Sequence, residues 1–136
     1  MGSGNEIMGD SVTDKKVLIV EDDMIISMVL ERMIKKLGHE VVKKVIAGQD
    51  AIDSAFELEP DLILMDIQLK DNIDGITAMQ KIREKSDVLV IYITGNSDQY
   101  SLERAKKTDY VDYLVKPIQM SHLKKSISKA FAEQIS

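Results

Sequence analysis

A chain of 136 residues with 44% hydrophobic and 30% charged side chains is long enough to bury one core and too short for two domains of ordinary size. Its 23 acidic against 18 basic residues, a formal charge of -5, argue against a polyanionic partner, so no nucleic acid is expected as ligand. The lack of Cys excludes disulfides, thiolate nucleophiles and cysteine metal sites, and leaves His39 and His122 as the only imidazoles. No apolar run approaches the roughly 20 residues of a bilayer span, and the opening MGSGNEIMGDSVTD has neither the basic nor the apolar region of a secretory signal. A cytoplasmic chain without a membrane partner is expected.

Residues 1–14, rich in Gly, Ser, Asp and Asn and without period, are expected to form a flexible tail, with a single domain over 15–136. KKVLIV at 15–20 is too short for a buried helix and rich in β-branched residues, which predicts an interior strand ending at Glu21, Asp22 and Asp23. From Met24 to Leu37, apolar residues at Ile25, Met28, Val29, Met33 and Leu37 follow helical spacing, and Gly38 supplies the stop. EVVKKVI at 40–46 reads as a partly solvated strand. Gln49 to Leu58 reads as a helix with Ala51, Ile52, Ala55 and Phe56 on its apolar face, closed by Pro60.

LILM is next, a continuously apolar strand ending at Asp66. A loop containing Lys70, Asp71, Asn72 and Gly75 leads into a helix from Ile76 to Glu84. VLVIYIT at 88–94 is another strand, followed by Gly95, Asn96 and Ser97, and then by a weaker helix from Gln99 to Lys106. The strand YVDYLV, then Lys116 and Pro117, precede an amphipathic helix from Met120 to Gln134 with Leu123, Ile127, Ala130 and Phe131 inward. Five strands alternating with five helices predict a doubly wound α/β fold, in which crossover helices cover both faces of a parallel sheet.

Ligands of such sheets collect beyond the carboxyl ends of the strands. Those ends carry Glu21, Asp22 and Asp23, then Asp66, Thr94 and Lys116. Carboxylates gathered without thiols suit a hard, oxygen-ligated cation such as Mg²⁺, which also allows a phosphate to approach the acids. Lys116 would offset charge on a phosphoryl oxygen, Thr94 would donate to another, and Asp66 would attack phosphorus to give an acyl phosphate. Singly, each residue has a plainer reading: Asp22 or Asp23 as a helix cap, Thr94 as a β-branched strand residue, Lys116 as a solvated turn. The four strand ends taken together favour one site.

LIVEDD, LILMD, YIT and VKP, in that order and each at a strand end, resemble the response regulator receiver domain of two-component signalling, over roughly residues 15–135. The resemblance implies a flavodoxin-like architecture of five parallel strands and five helices. It implies Asp66 as the phosphorylated aspartate, Thr94 as the switch hydroxyl and Lys116 as the conserved-type lysine. Mg²⁺ would be held by Asp22 directly, by Glu21 directly or through water, by Asp66 and by the backbone carbonyl of Gln68. Asp23 falls just beyond the acidic pair and either modifies the site or caps the helix. Tyr113 matches the aromatic switch position, and Lys116–Pro117 matches a cis peptide. The implied function is a phosphoacceptor switch that takes a phosphoryl group from phosphohistidine, releases it slowly, and alters partner binding. The alternative is a receiver-like interaction module that works without phosphorylation.

The chain departs from the family in carrying DIQLKDNIDG at 66–75 where many receivers have a Met-Pro pair. A haloacid-dehalogenase-like phosphatase would need an acid two residues beyond Asp66, where Gln68 stands. A nucleotide or flavodoxin-like binder would need a glycine-rich or phosphate-cradling loop after the first strand, where the acids stand. Expected partners are a histidine kinase or a histidine phosphotransfer protein, docking near Met24, Ile25 and Met28, with Met28 equally readable as core. A homodimer or a downstream protein partner would use the face of helices four and five, with His122 as an exposed residue. The final helix runs almost to Ser136, so either a single-domain regulator or a receiver excised from a longer protein is expected.

Overall fold

Three runs of apolar residues form the interior of one sheet because helices cover them on both sides. The computed structural model describes residues 13–132. Most of the expected tail, and the end of the expected final helix, lie outside the described residues. In chain order the elements are β1 (Lys16–Val20), α1 (Met24–Lys36), β2 (Glu40–Val45), α2 (Gly48–Leu58), β3 (Leu62–Asp66), α3 (Gly75–Arg83), β4 (Leu89–Thr94), α4 (Gln99–Lys106), β5 (Asp112–Val115) and α5 (Met120–Phe131). The strands form a parallel sheet of order β2-β1-β3-β4-β5. The winding reverses between β1 and β3, which opens a crevice at their carboxyl ends.

Side chains alternate across each strand. Val17, Ile19, Leu62, Leu64, Ile91 and Ile93 face one way and pack with Leu30 and Ile34 of α1 and Leu123, Ile127 and Phe131 of α5. Leu18, Val20, Ile63, Met65, Val90 and Tyr92 face the other, against Ala51, Ile76, Met79, Ile82 and Ala105 of α2, α3 and α4. Every residue of β3 is buried, as its continuous apolar run requires. β2 forms an edge with Lys43 and Lys44 exposed, which protects it from pairing with another chain.

Helix α1 buries only part of the apolar set spaced along it, with Met33 and Leu37 packed against the core. Its buried residues are Ser27, Leu30 and Ile34, whereas Ile25 is 70% exposed and Met28 and Val29 are each 43% exposed. Helix α1 is apolar around more than one stripe, and only the stripe that meets the sheet and α5 is covered. Met28 therefore does not belong to the core. Phe56 on α2 is also exposed, while Ile52 packs against the core.

Caps set the helix starts. Asp23 Oδ1 accepts from the N–H groups of Ile25 and Ile26, Asp74 Oδ1 accepts from Thr77 N–H, and Asp98 Oδ1 accepts from Ser101 N–H. Gly38, at φ +90, follows the end of α1 where a side chain would be strained. Gly75 is required for a different reason: a Cβ there would lie 2.1 Å from the Asp66 carbonyl oxygen and 2.8 Å from Met65 Cγ. We expect Gly75→Ala to destabilise the fold by on the order of 3 kcal/mol, because backbone must move to make room. Urea unfolding checks this, and an unchanged midpoint would contradict so close an approach of α3 to β3.

Candidate functional site

The carboxyl edge of the sheet brings together residues far apart in sequence. Glu21 and Asp66 are buried, at 0% and 1% exposure, and Asp22 is half-buried beside them. One carboxylate oxygen from each of the three lies within 4.8 Å of the others. Lys116 reaches in from the end of β5, with Nζ 2.8 Å from Glu21 Oε1 and 3.2 Å from Asp66 Oδ2. Its backbone N–H donates to Thr94 O at 2.7 Å, and the Lys116–Pro117 peptide is cis.

The remaining acceptors are mostly taken by backbone donors. Asp66 Oδ1 accepts from Gln68 N–H at 3.1 Å, Glu21 Oε2 from Asp23 N–H at 3.0 Å, and Asp22 Oδ2 from Lys70 N–H at 3.0 Å. Glu21 Oε1 is buried and outside hydrogen-bonding geometry, with the Lys116 ammonium facing it. Burial, and then the neighbouring Glu21, push the Asp66 carboxyl up to about 7, and Lys116 only partly opposes this. Burial would lower the Lys116 ammonium, but its contacts with Glu21 and Asp66 outweigh it and hold the group above the ordinary lysine range. Three acids share one base, so the cluster carries surplus negative charge.

That surplus fits a divalent cation. Glu21, Asp22 and Asp66 offer hard oxygen donors at close quarters, which suit Mg²⁺ rather than a softer metal. Neither imidazole competes: His39 is buried against the Phe131 ring, and His122 is exposed on α5.

The other residues singled out in the sequence have distinct settings. Asp23 caps α1, and Asp22 does not. Thr94 is buried at the end of β4, where its Oγ1 accepts from Asn96 N–H at 3.0 Å and donates to Asn96 O at 2.8 Å. Tyr113 packs among Tyr92 and Tyr110, with ring centroids 6.4 and 6.0 Å away. Its hydroxyl is buried without a hydrogen-bond partner among the described residues. The Gln68 side chain is exposed, and its Oε1 accepts from Gly95 N–H at 3.0 Å.

Several contacts around the site had no sequence signal. Asp71 Oδ2 accepts from Gly48 N–H at 3.0 Å and so caps α2 from 23 residues away. Arg104 of α4 makes a two-pronged ion pair with Asp74, at 2.6 and 3.1 Å, and donates to Thr77 Oγ1. This pair outweighs the effect of burial and holds the Asp74 carboxyl below the usual range. Tyr92, given no role from sequence, is buried with its hydroxyl 2.7 Å from Thr108 Oγ1, and burial pushes it up to about 12. Asp74 also caps α3, and neither that role nor its partner 30 residues away was read from the sequence.

Comparisons with known proteins bear on the family and the fold. The family model described as response regulator receiver domain matches residues 17–128. The chain is 35% identical over 121 residues to the transcriptional regulatory protein PdtaR of Mycobacterium tuberculosis, covering 89% of this chain and 58% of that protein. It is 33% identical over 117 residues to the chemotaxis protein CheY of Thermotoga maritima, covering 85% of this chain and 96% of that one. A crystal structure of the signal receiver domain of a modulated diguanylate cyclase from Desulfovibrio desulfuricans superposes with a TM-score of 0.82 at 30% identity, covering 89% and 96% of the two chains. A doubly wound sheet with an acid-lined carboxyl edge thus defines the class, and the chain belongs to the response regulator receiver family, whose fold is the flavodoxin-like one observed here. Among the described residues, no helix is long and apolar enough to cross a membrane.

The raised carboxyl has a consequence for stability. Between its ordinary value of 3.8 and its folded value of about 7, the folded chain binds more protons at Asp66 than the unfolded chain does. Its contribution to stability is therefore full below the lower value and is lost as pH rises through the higher one. Without divalent cations, Asp66→Asn is expected to gain about 1–3 kcal/mol over the wild type near pH 8 and nothing near pH 3, as relief of a buried uncompensated charge predicts. Urea unfolding of both proteins at the two pH values measures this, and an equal gain at both would place the cause elsewhere.

Proposed function

We propose that the chain, as one receiver unit over 15–136, is a phosphoacceptor switch in which Asp66 takes a phosphoryl group from phosphohistidine. The observation that carries the reading is the buried Asp66 carboxylate held between the Lys116 ammonium and the Glu21–Asp22 pair. In the transfer, an Asp66 carboxylate oxygen forms a bond to phosphorus as the P–N bond to the donor imidazole breaks. The electron pair of that bond leaves with the imidazole nitrogen, which then takes a proton. Asp66 must be ionised to attack, so its raised carboxyl makes the bare site slower in acid.

Bound Mg²⁺, held by Glu21, Asp22, Asp66 and the Gln68 carbonyl, would neutralise the acids and the charge on the phosphoryl oxygens. Lys116 offsets charge on the phosphoryl group from the side of β5. Thr94 leaves Asn96 and turns its hydroxyl toward the phosphoryl group. Tyr113, already inward in part and with an unpaired hydroxyl, favours the inward state that follows. Water attacking phosphorus later returns Asp66 to its carboxylate and releases inorganic phosphate, so the signal is transient. These movements shift a population between two surfaces built from α4, β5 and α5.

The donor is a histidine kinase or a histidine phosphotransfer protein, in keeping with a cytoplasmic receiver. Met24 and Ile25 are 64% and 70% exposed, and a largely apolar groove of about 400 Å³ runs between Ile25 and Val29 of α1 and Pro117 and Ile118 beyond Lys116. A helix of the donor seated there would present its histidine toward Asp66.

Intact-protein mass after incubation with acetyl phosphate tests the reading. One Mg²⁺-dependent phosphoryl adduct is expected, absent in Asp66→Asn, with Lys116→Met slowing uptake by about a hundredfold. No adduct under conditions that modify another receiver would sink the proposal and favour a phosphorylation-independent interaction module.

A further inference from the structure

Gln68 touches both sides of the mouth above Asp66. Its backbone N–H donates to Asp66 Oδ1 at 3.1 Å, and its side-chain Oε1 accepts from Gly95 N–H at 3.0 Å. The sheet explains the reach: β3 and β4 pair in register with Asp66 opposite Ile93, and Ile67 N–H donates to Ile93 O at 2.9 Å. The Thr94–Gly95 peptide therefore starts the loop beside the one that carries Gln68. Around Gly95 the space is open, since an added Cβ would meet only Gln68 Oε1, at 3.9 Å.

A phosphoryl group on Asp66 brings three acceptor oxygens to this mouth. Lys116 lies on one side and the carboxylate cluster on another. The donors available on the β4 side are the Thr94 hydroxyl and the Gly95 N–H, and both are occupied by carbonyl oxygens of the chain itself, those of Asn96 and of the Gln68 side chain. Thr94 is bound by its own turn. Gly95 is bound by a long-range contact that only the identity of residue 68 provides.

Resting on the phosphoacceptor reading of Asp66, we propose that the Gln68 carboxamide is a gate: its oxygen occupies the Gly95 N–H in the unphosphorylated chain and must surrender that donor to a phosphoryl oxygen. Phosphorylation then breaks one hydrogen bond to make a charge-assisted one. Gln68 acts through Gly95 and is a positioning residue. The same exchange frees the Gln68 amide and unties the loop after β3 from the loop after β4, so the gate also reports occupancy of Asp66 to the loop that leads into α4.

The test compares the wild type with Gln68→Met, which keeps the length and removes the acceptor, and Gln68→Asn, which keeps the amide and falls short of Gly95. Uptake from acetyl phosphate with Mg²⁺ is followed by intact mass, and the Gly95 amide by NMR in the unphosphorylated proteins. Both variants should show a Gly95 amide that exchanges faster with solvent, a melting temperature lowered by a few degrees, and uptake faster by about threefold to tenfold, the effect of one lost hydrogen bond. In the wild type, beryllium trifluoride with Mg²⁺ should shift the Gly95 amide and the Gln68 side-chain amide together. Uptake equal to or slower than wild type, with the Gly95 amide released, would overturn the gate and leave the phosphoacceptor reading standing. No adduct on any of the three proteins would overturn both.

Discussion

A carboxylate buried beside two others is held in this molecule by a single ammonium. Asp66 ends the one strand that is buried along its whole length, so water is excluded from the residue that most needs a counter-charge. Lys116 supplies one positive charge to both Glu21 and Asp66, which leaves the cluster short by more than one unit. A structure that keeps such a deficit in its interior gives up stability there. The deficit makes the edge receptive to a hard cation and, through that cation, to a phosphate.

The loop from Asp66 to Gly75 distributes the consequences. It is hydrogen-bonded to the β1–α1 loop through Asp22, to the start of α2 through Asp71, to the β4–α4 loop through Gln68, and to α4 through Asp74 and Arg104. Helix α4 itself is shallowly seated, with only Ser101 and Ala105 buried. Polar ties at Arg104 and at Thr108, where Tyr92 and Arg83 converge, therefore do much of what apolar packing does for the other helices. Each such hydrogen bond contributes only about 0.5–1.5 kcal/mol net, so in the proposed switch α4 is held by ties that little free energy breaks.

Charge and apolar surface are kept apart at the same edge. The acids lie in the crevice between β1 and β3, while the exposed residues of the first turns of α1 form an apolar rim beside Lys116. A partner bound by the rim would be placed next to the nucleophile without having to desolvate it first. Chemistry in the crevice and recognition on the rim can then vary independently.

The alternation of strands and helices, the positions of the strand ends and the residues of the acidic cluster were legible in the sequence, because period, run length and capping are local properties. Short-range signals left Asp23 as either a site residue or a cap, and the structure makes it the cap of α1. What tertiary structure decided was which apolar stripe of α1 is covered, since Met28 and Leu30 look alike in sequence and only the sheet distinguishes them. It also decided the partners of Asp71, Gln68 and Arg104, each set by how neighbouring loops meet at the carboxyl edge. Contacts across 23 to 30 residues leave no periodic trace, because the chain between them serves the core rather than the contact.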